Sequence, residues 1–123
     1  MIIDAIIEAI ELKDDKEEYT QIRKEGIDPF FHNSPHILII YSENKLDLRN
    51  STIAMTYGML SAELLDLGTC WIGGVQMFLN DHRDIQKEVL GINGKILGMI
   101  TIGYPTVKYY RVPPRSEIDI KEI

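Results

Sequence analysis

The chain has 123 residues, 45% of them apolar and 26% charged, which fits one globular domain and excludes a disordered or low-complexity protein. A formal net charge of -6 argues against nucleic acid or an anionic membrane surface as the main partner. No apolar stretch is long enough to span a bilayer and no signal peptide is visible, so the sequence reads as cytoplasmic.

Residues Ile2 to Leu12 carry apolar side chains at 2, 3, 6, 7 and 10 with Asp4, Glu8 and Glu11 opposite, the pattern of an amphipathic helix. Asp14 to Lys24 is highly charged and predicts a solvated helix or turn, anchored by Tyr19 and Ile22 and ended by Gly26. Two prolines, an Asn and a Ser make 27–36 a loop. Ile37 to Tyr41 is apolar without alternation, which predicts an inner strand covered on both faces.

After the polar stretch 42–49 comes the segment around which the chain is organised, Asn50 to Gly74. Ile53, Tyr57, Leu60 and Leu64 recur at helical spacing, and Ala54, Gly58, Ser61 and Ala62 form a second, small-residue flank, so the helix is expected to be mostly buried. Asn50 or Ser51 can cap its start, and Gly68 can supply the left-handed residue that stops it. Gly58 costs about 1 kcal/mol relative to Ala in a helix interior, so it implies close passage of another backbone or of a flat ligand. The run Thr69 to Val75 then closes on Gly73 and Gly74, which either make a simple turn or expose backbone amides.

Asn80 or Asp81 can cap a short helix ending near Leu90, with Gly91 as its stop. Asn93-Gly94 is a tight turn into a strand over Lys95 to Ile102. Gly91 to Lys95 lacks the spacing and the following Ser or Thr of a phosphate loop. From Thr106 the chain is an extended tail with Lys108, Arg111 and Arg115 between prolines, suited to lie against something else, such as a second subunit. Cys70 is the sole cysteine; its apolar neighbours favour a small buried hydrophobe over a nucleophile. His32, His36 and His82 match no zinc spacing, and no metal is expected.

The order Leu67-Gly68, Thr69-Cys70-Trp71-Ile72-Gly73-Gly74, then Ile102-Gly103-Tyr104-Pro105 and Arg111-Val112-Pro113, resembles the C-terminal half of the FMN-dependent nitroreductase family. Ser34-Pro35 followed by the apolar strand matches as well, so the resemblance covers about residues 28–115. It implies an α+β fold, a small mixed sheet with helices packed around a central buried helix, as one domain over 1–123 with a helical segment 1–26 and a tail 106–123. It implies a homodimeric, FMN-dependent oxidoreductase using NAD(P)H, with the backbone of Ile72, Gly73 and Gly74 bordering the isoalloxazine and Lys108 and Arg111 facing the phosphate. No catalytic side chain is assigned. The family's Arg-rich N-terminal element is missing, since Arg23 is the only early arginine and its context does not match. The alternatives are therefore a dimeric binding or structural remnant that holds flavin weakly or not at all, and a partial chain that needs a partner.

Overall fold

The computed structural model describes residues 2–11, 13–44, 47–108, 110, 111, 114 and 116. Helix α1 (Ile2–Ala9) buries Ile3, Ile6 and Ile7, the stripe its periodicity requires. Helix α2 (Lys13–Lys24) buries no full stripe; Tyr19 packs against the core beside Phe30, and polar contacts to α1 hold the rest. Arg23 Nε donates to Asp4 Oδ1 at 3.3 Å, and Lys16 Nζ donates to the Glu8 carbonyl at 2.6 Å. The Arg23 hydrogen bond also holds the Asp4 carboxyl below its ordinary value. Gly26 ends the helix at φ 80°.

The loop that follows is built on Asp28, whose Oδ1 accepts the amides of Phe30 and Phe31 at 3.0 and 2.9 Å. This turn drives Phe31 into the core. Ser34 Oγ then donates to the Ile102 carbonyl at 2.9 Å and sets the entry of strand β1 (His36–Ser42).

Strand β3 (Lys95–Gly103) is central, with β1 on one side and β2 (Gly68–Trp71) on the other, both antiparallel to it. The sheet is thus antiparallel throughout rather than mixed. The inner strand covered on both faces is β3, not β1, which lies at an edge with Ile37, Leu38 and Tyr41 exposed. An apolar run shows that a strand needs cover; it does not show whether the same chain supplies it.

One face of β3 receives helix α4 (Gly73–Asp81), and α1 closes the same core, which contains Ile6, Ile72, Val75, Leu79 and Met99, from beyond the sheet. Helix α3 (Leu48–Leu64) packs on the other face at Gly98, where an added Cβ would stand 2.8 Å from Met55 Cε and 3.3 Å from the Trp71 ring. α3 starts earlier than its caps suggest: Asp47 takes the N-cap position while its carboxylate binds Ser42 Oγ, and Asn50 and Ser51 lie inside. The left-handed residue after it is Asp66, φ 57°, while Gly68 already belongs to β2, paired with Gly103.

The expected burial of α3 is not met within the chain. Its inward face is Ser51, Met55 and Ala62, whereas Ile53, Tyr57, Leu60 and Leu64 are 51 to 86% exposed. Nothing lies within 4 Å of a Cβ built on Gly58. Of the small-residue flank only Ala62 turns inward; Ala54 and Ser61 are exposed, and the bulky stripe is left facing outward.

Helix α5 (Arg83–Leu90) takes His82 as its N-cap, because the expected caps Asn80 and Asp81 end α4 and Asn80 is diverted to β3. Asn80 Nδ2 donates to the Ile96 carbonyl at 2.8 Å and its Oδ1 accepts the Ile96 amide at 2.9 Å. Gly91 ends α5 in the left-handed conformation, as its position predicts. Arg83 and the fully buried Gln86 then hold the carbonyls of 92–94 and fix the turn into β3. Among the described residues no helix is long and apolar enough to cross a membrane. Most of the predicted tail 106–123 lies outside the described residues.

Candidate functional site

The junction of β2 and α4 opens onto a cleft of about 490 Å³. Its floor is the backbone from Cys70 to Val75; α1 contributes Ile6, α2 contributes Asp15 and Tyr19, and the loop contributes Phe30 and His32. This size lies in the range of small-ligand sites.

The glycine pair is the first turn of α4, a helix the sequence reading left as a possible turn. The N-cap is Ile72, which makes no side-chain capping bond, so the first helical amides have no capping partner from that residue. A Cβ built on Gly73 or Gly74 would meet nothing within 4 Å, so the backbone there faces open space. A planar group can approach it closely.

Ile72 behaves differently from the glycines. Its side chain is in the core and its amide donates to the Met99 carbonyl at 2.9 Å. It tethers the glycine turn to β3, and its own N–H is already spent. Trp71, the last residue of β2, is fixed by its indole N–H donating to Gln76 Oε1 at 3.2 Å.

Lys108 and Arg111 are not brought to this cleft by a single chain. Lys108 lines a separate one of about 620 Å³, between Glu63 at the end of α3, Asp66 just past it, the start of β2, and 105–108. Arg111 is exposed. Arg23 is engaged with Asp4. Among the described lining residues of the glycine cleft there is no Lys or Arg. The site therefore fits the ring of a flavin, through an open backbone and apolar walls, but its described lining offers no cation to a phosphate.

Cys70 is exposed and lines the cleft, which corrects the expectation of a buried hydrophobe; an edge strand has one side without a neighbour. His82 stacks on Phe78 with ring centroids 4.1 Å apart, away from His32 and His36 in sequence and in role. No group of three or more His, Cys, Asp or Glu able to hold a metal occurs among the described residues. Asp15, Tyr19, Phe30 and Phe78 are among the cleft residues that sequence reasoning missed. Their signal was weak, because a charged helix and an irregular loop carry no periodicity that reveals what they will face.

The model of the nitroreductase family matches residues 2–104, and the chain belongs to that family. Among solved structures it is similar to a nitroreductase with bound FMN from Bacteroides fragilis NCTC 9343, with a TM-score of 0.64 and 20% identity over 98% of this chain. The chain spans 66% of the length of that protein. No curated protein gave a significant match.

Proposed function

We propose that the chain is an FMN-dependent oxidoreductase of the nitroreductase type, taking hydride from NAD(P)H and passing reducing equivalents to a small acceptor. The observation that carries this reading is the uncapped glycine turn of α4, open to an aromatic-walled cleft, in a member of this family. When bound, FMN supplies the two-electron chemistry that side chains lack. Gly73 and Gly74 offer amides to the electron-rich edge of the ring, Ile72 holds that turn in place, and the walls from α1, α2 and the loop limit water.

The working unit in this proposal is a homodimer built on α3. Its exposed stripe from Ile53 to Leu64 and the open flank at Gly58 are a large apolar surface of the kind that obligate interfaces cover. Lys108 and Arg111 serve the phosphate at a site completed by the second copy, since within one chain Lys108 sits in a different cleft. A cytoplasmic location suits NAD(P)H use.

A second reading, weak flavin binding or a need for another chain, is favoured by the absence of a cation among the described lining residues. Losing charge-assisted hydrogen bonds of about 1.5–3 kcal/mol each at a phosphate raises the dissociation constant steeply. The absorbance spectrum of the purified protein, before and after dialysis and on adding FMN, tests both. The expected result is flavin well below one per subunit, rising with added FMN. Full occupancy after dialysis would overturn the second reading, and no flavin binding even at millimolar FMN would overturn the first.

A further inference from the structure

The turn at Asn93-Gly94 lies away from the glycine cleft and is built in an unusual way. Neither residue takes the positive φ of a two-residue hairpin turn. Glycine is required at 94 for space instead: an added Cβ would stand 2.8 Å from the carbonyl carbon of Ser42 and 3.0 Å from its oxygen. Gly94 is buried, whereas Asn93 is exposed. Among the described residues neither the Asn93 side chain nor the Gly94 N–H has a hydrogen-bond partner. The carbonyls of both are engaged, because Arg83 Nη2 donates to that of Asn93 and Nη1 donates to that of Gly94 at 2.8 Å. Asn33, Asn50 and Asn80 are placed differently. The Ser34 amide that follows Asn33 donates to the Phe31 carbonyl at 3.0 Å, and Asn50 and Asn80 lie inside α3 and α4.

We propose that Asn93-Gly94 is a self-modification site of the folded protein, where the Gly94 nitrogen closes on the Asn93 side chain and converts it to aspartate and isoaspartate. The Gly94 N–H gives its proton to a solvent base, and the electron pair left on nitrogen forms a bond to Asn93 Cγ. The bond from Cγ to the side-chain nitrogen breaks, and that nitrogen takes up a proton and leaves as ammonia. Water then opens the cyclic imide, at Cγ to give isoaspartate's isomer aspartate with the main chain restored, or at the main-chain carbon to give isoaspartate. Nothing is oxidised or reduced, and water is the co-reactant. Glycine places no side chain in the way of the closure. Arg83 promotes it, because the deprotonated amide shares its charge with the Asn93 carbonyl oxygen, to which the guanidinium already donates. Since Gly94 is shielded from water, the guanidinium stands in for solvent there. The product loosens the fold. Isoaspartate lengthens the main chain by a methylene directly before β3, where Gly94 has no room to shift against Ser42, and the new carboxylate draws Arg83 off the two carbonyls it holds.

The test incubates the folded, full chain in mildly alkaline buffer made with heavy-oxygen water, and follows each asparagine by peptide mapping with isoaspartate detection. Asn93 should convert about tenfold or more faster than Asn33, Asn50 or Asn80, with heavy oxygen entering the product. Arg83→Gln, which keeps a neutral donor, should slow Asn93 about threefold or more. Wild type unfolded in urea should also convert Asn93 more slowly than folded wild type, a comparison that stands whether or not Arg83→Gln folds. Asn93→Gln, whose longer side chain does not close the same ring readily, should keep its Tm through an incubation that lowers the Tm of wild type. Asn93 intact in the folded chain but converted in urea would show that the clamp protects the turn, and would overturn the proposal. Unchanged or faster conversion in a folded Arg83→Gln would remove Arg83 from it, and full conversion of wild type without a fall in Tm would refute the loosening of the fold.

Discussion

Gln86 offers the sharpest test of how the fold is held. Its side chain is fully buried; Nε2 donates to the carbonyls of Ile92 at 3.0 Å and Gly94 at 2.7 Å, and Oε1 accepts from Arg83 at 2.9 Å. In Gln86→Leu the Gly94 carbonyl keeps Arg83, which lies 2.8 Å from it, but the Ile92 carbonyl loses its side-chain donor. An unsatisfied buried group costs about 1–3 kcal/mol, and the two other bonds are worth about 0.5–1.5 kcal/mol each. Leucine returns roughly 1 kcal/mol of apolar burial. The net loss is on the order of 2–4 kcal/mol, a large part of a domain stability of roughly 5–15 kcal/mol. At about 4 °C per kcal/mol for a chain of this size, Tm should fall by roughly 10 °C. Circular dichroism melts at matched protein concentration measure it, since assembly would make Tm depend on concentration. A Tm within about 2 °C of wild type would refute the argument that this clamp sets the turn into β3. Arg83→Ala combined with Gln86→Leu should depart from additivity, because Arg83 and Gln86 are bonded to each other and both donate to the Gly94 carbonyl, which only the double change leaves bare.

Gly58→Leu meets only open space within one chain, so the monomer should keep its fold while assembly is lost; sedimentation velocity at micromolar concentration checks this, and a wild type that is monomeric there removes α3 as an interface. Arg111→Ala should weaken FMN at least tenfold, about 1.4 kcal/mol, and leave riboflavin unaffected; equal wild-type affinities for FMN and riboflavin would show that no phosphate anchor exists. Gly74→Val places its side chain in the open cleft and should abolish flavin binding with little change in Tm, read by FMN fluorescence quenching and a thermal melt.

How much of this was legible in the sequence depends on whether a residue acts locally. The stripe Ile3, Ile6 and Ile7, the stop at Gly91 and the strand after Asn93-Gly94 are set by neighbours in the chain, and all stand where the pattern places them. The start of α3 does not, because Asp47 is fixed by Ser42 across the turn and takes the N-cap position ahead of Asn50. α4 was hidden because two glycines carry the signature of a turn even when they open a helix. For β1 and α3 the composition told of a need for cover, and the described chain leaves that need unmet at Leu38 and Leu64. In the site, Gly73 and Gly74 were found through the order of motifs, whereas Asp15 and Phe78 come to the cleft only through tertiary packing.

The strand order also dictates when the protein can fold during synthesis. β1 and β2 never pair with each other; each pairs only with β3, which is the last of the three to leave the ribosome. A nascent chain that ends before Lys95 thus carries two strands with no sheet to join, and the glycine turn has no Met99 carbonyl to receive the Ile72 amide. Sheet closure spans from His36 to Ile102 and must wait for translation of nearly all the described residues. Ribosome-stalled chains ending before and after β3 should accordingly differ sharply in protease resistance, with no gradual gain in between.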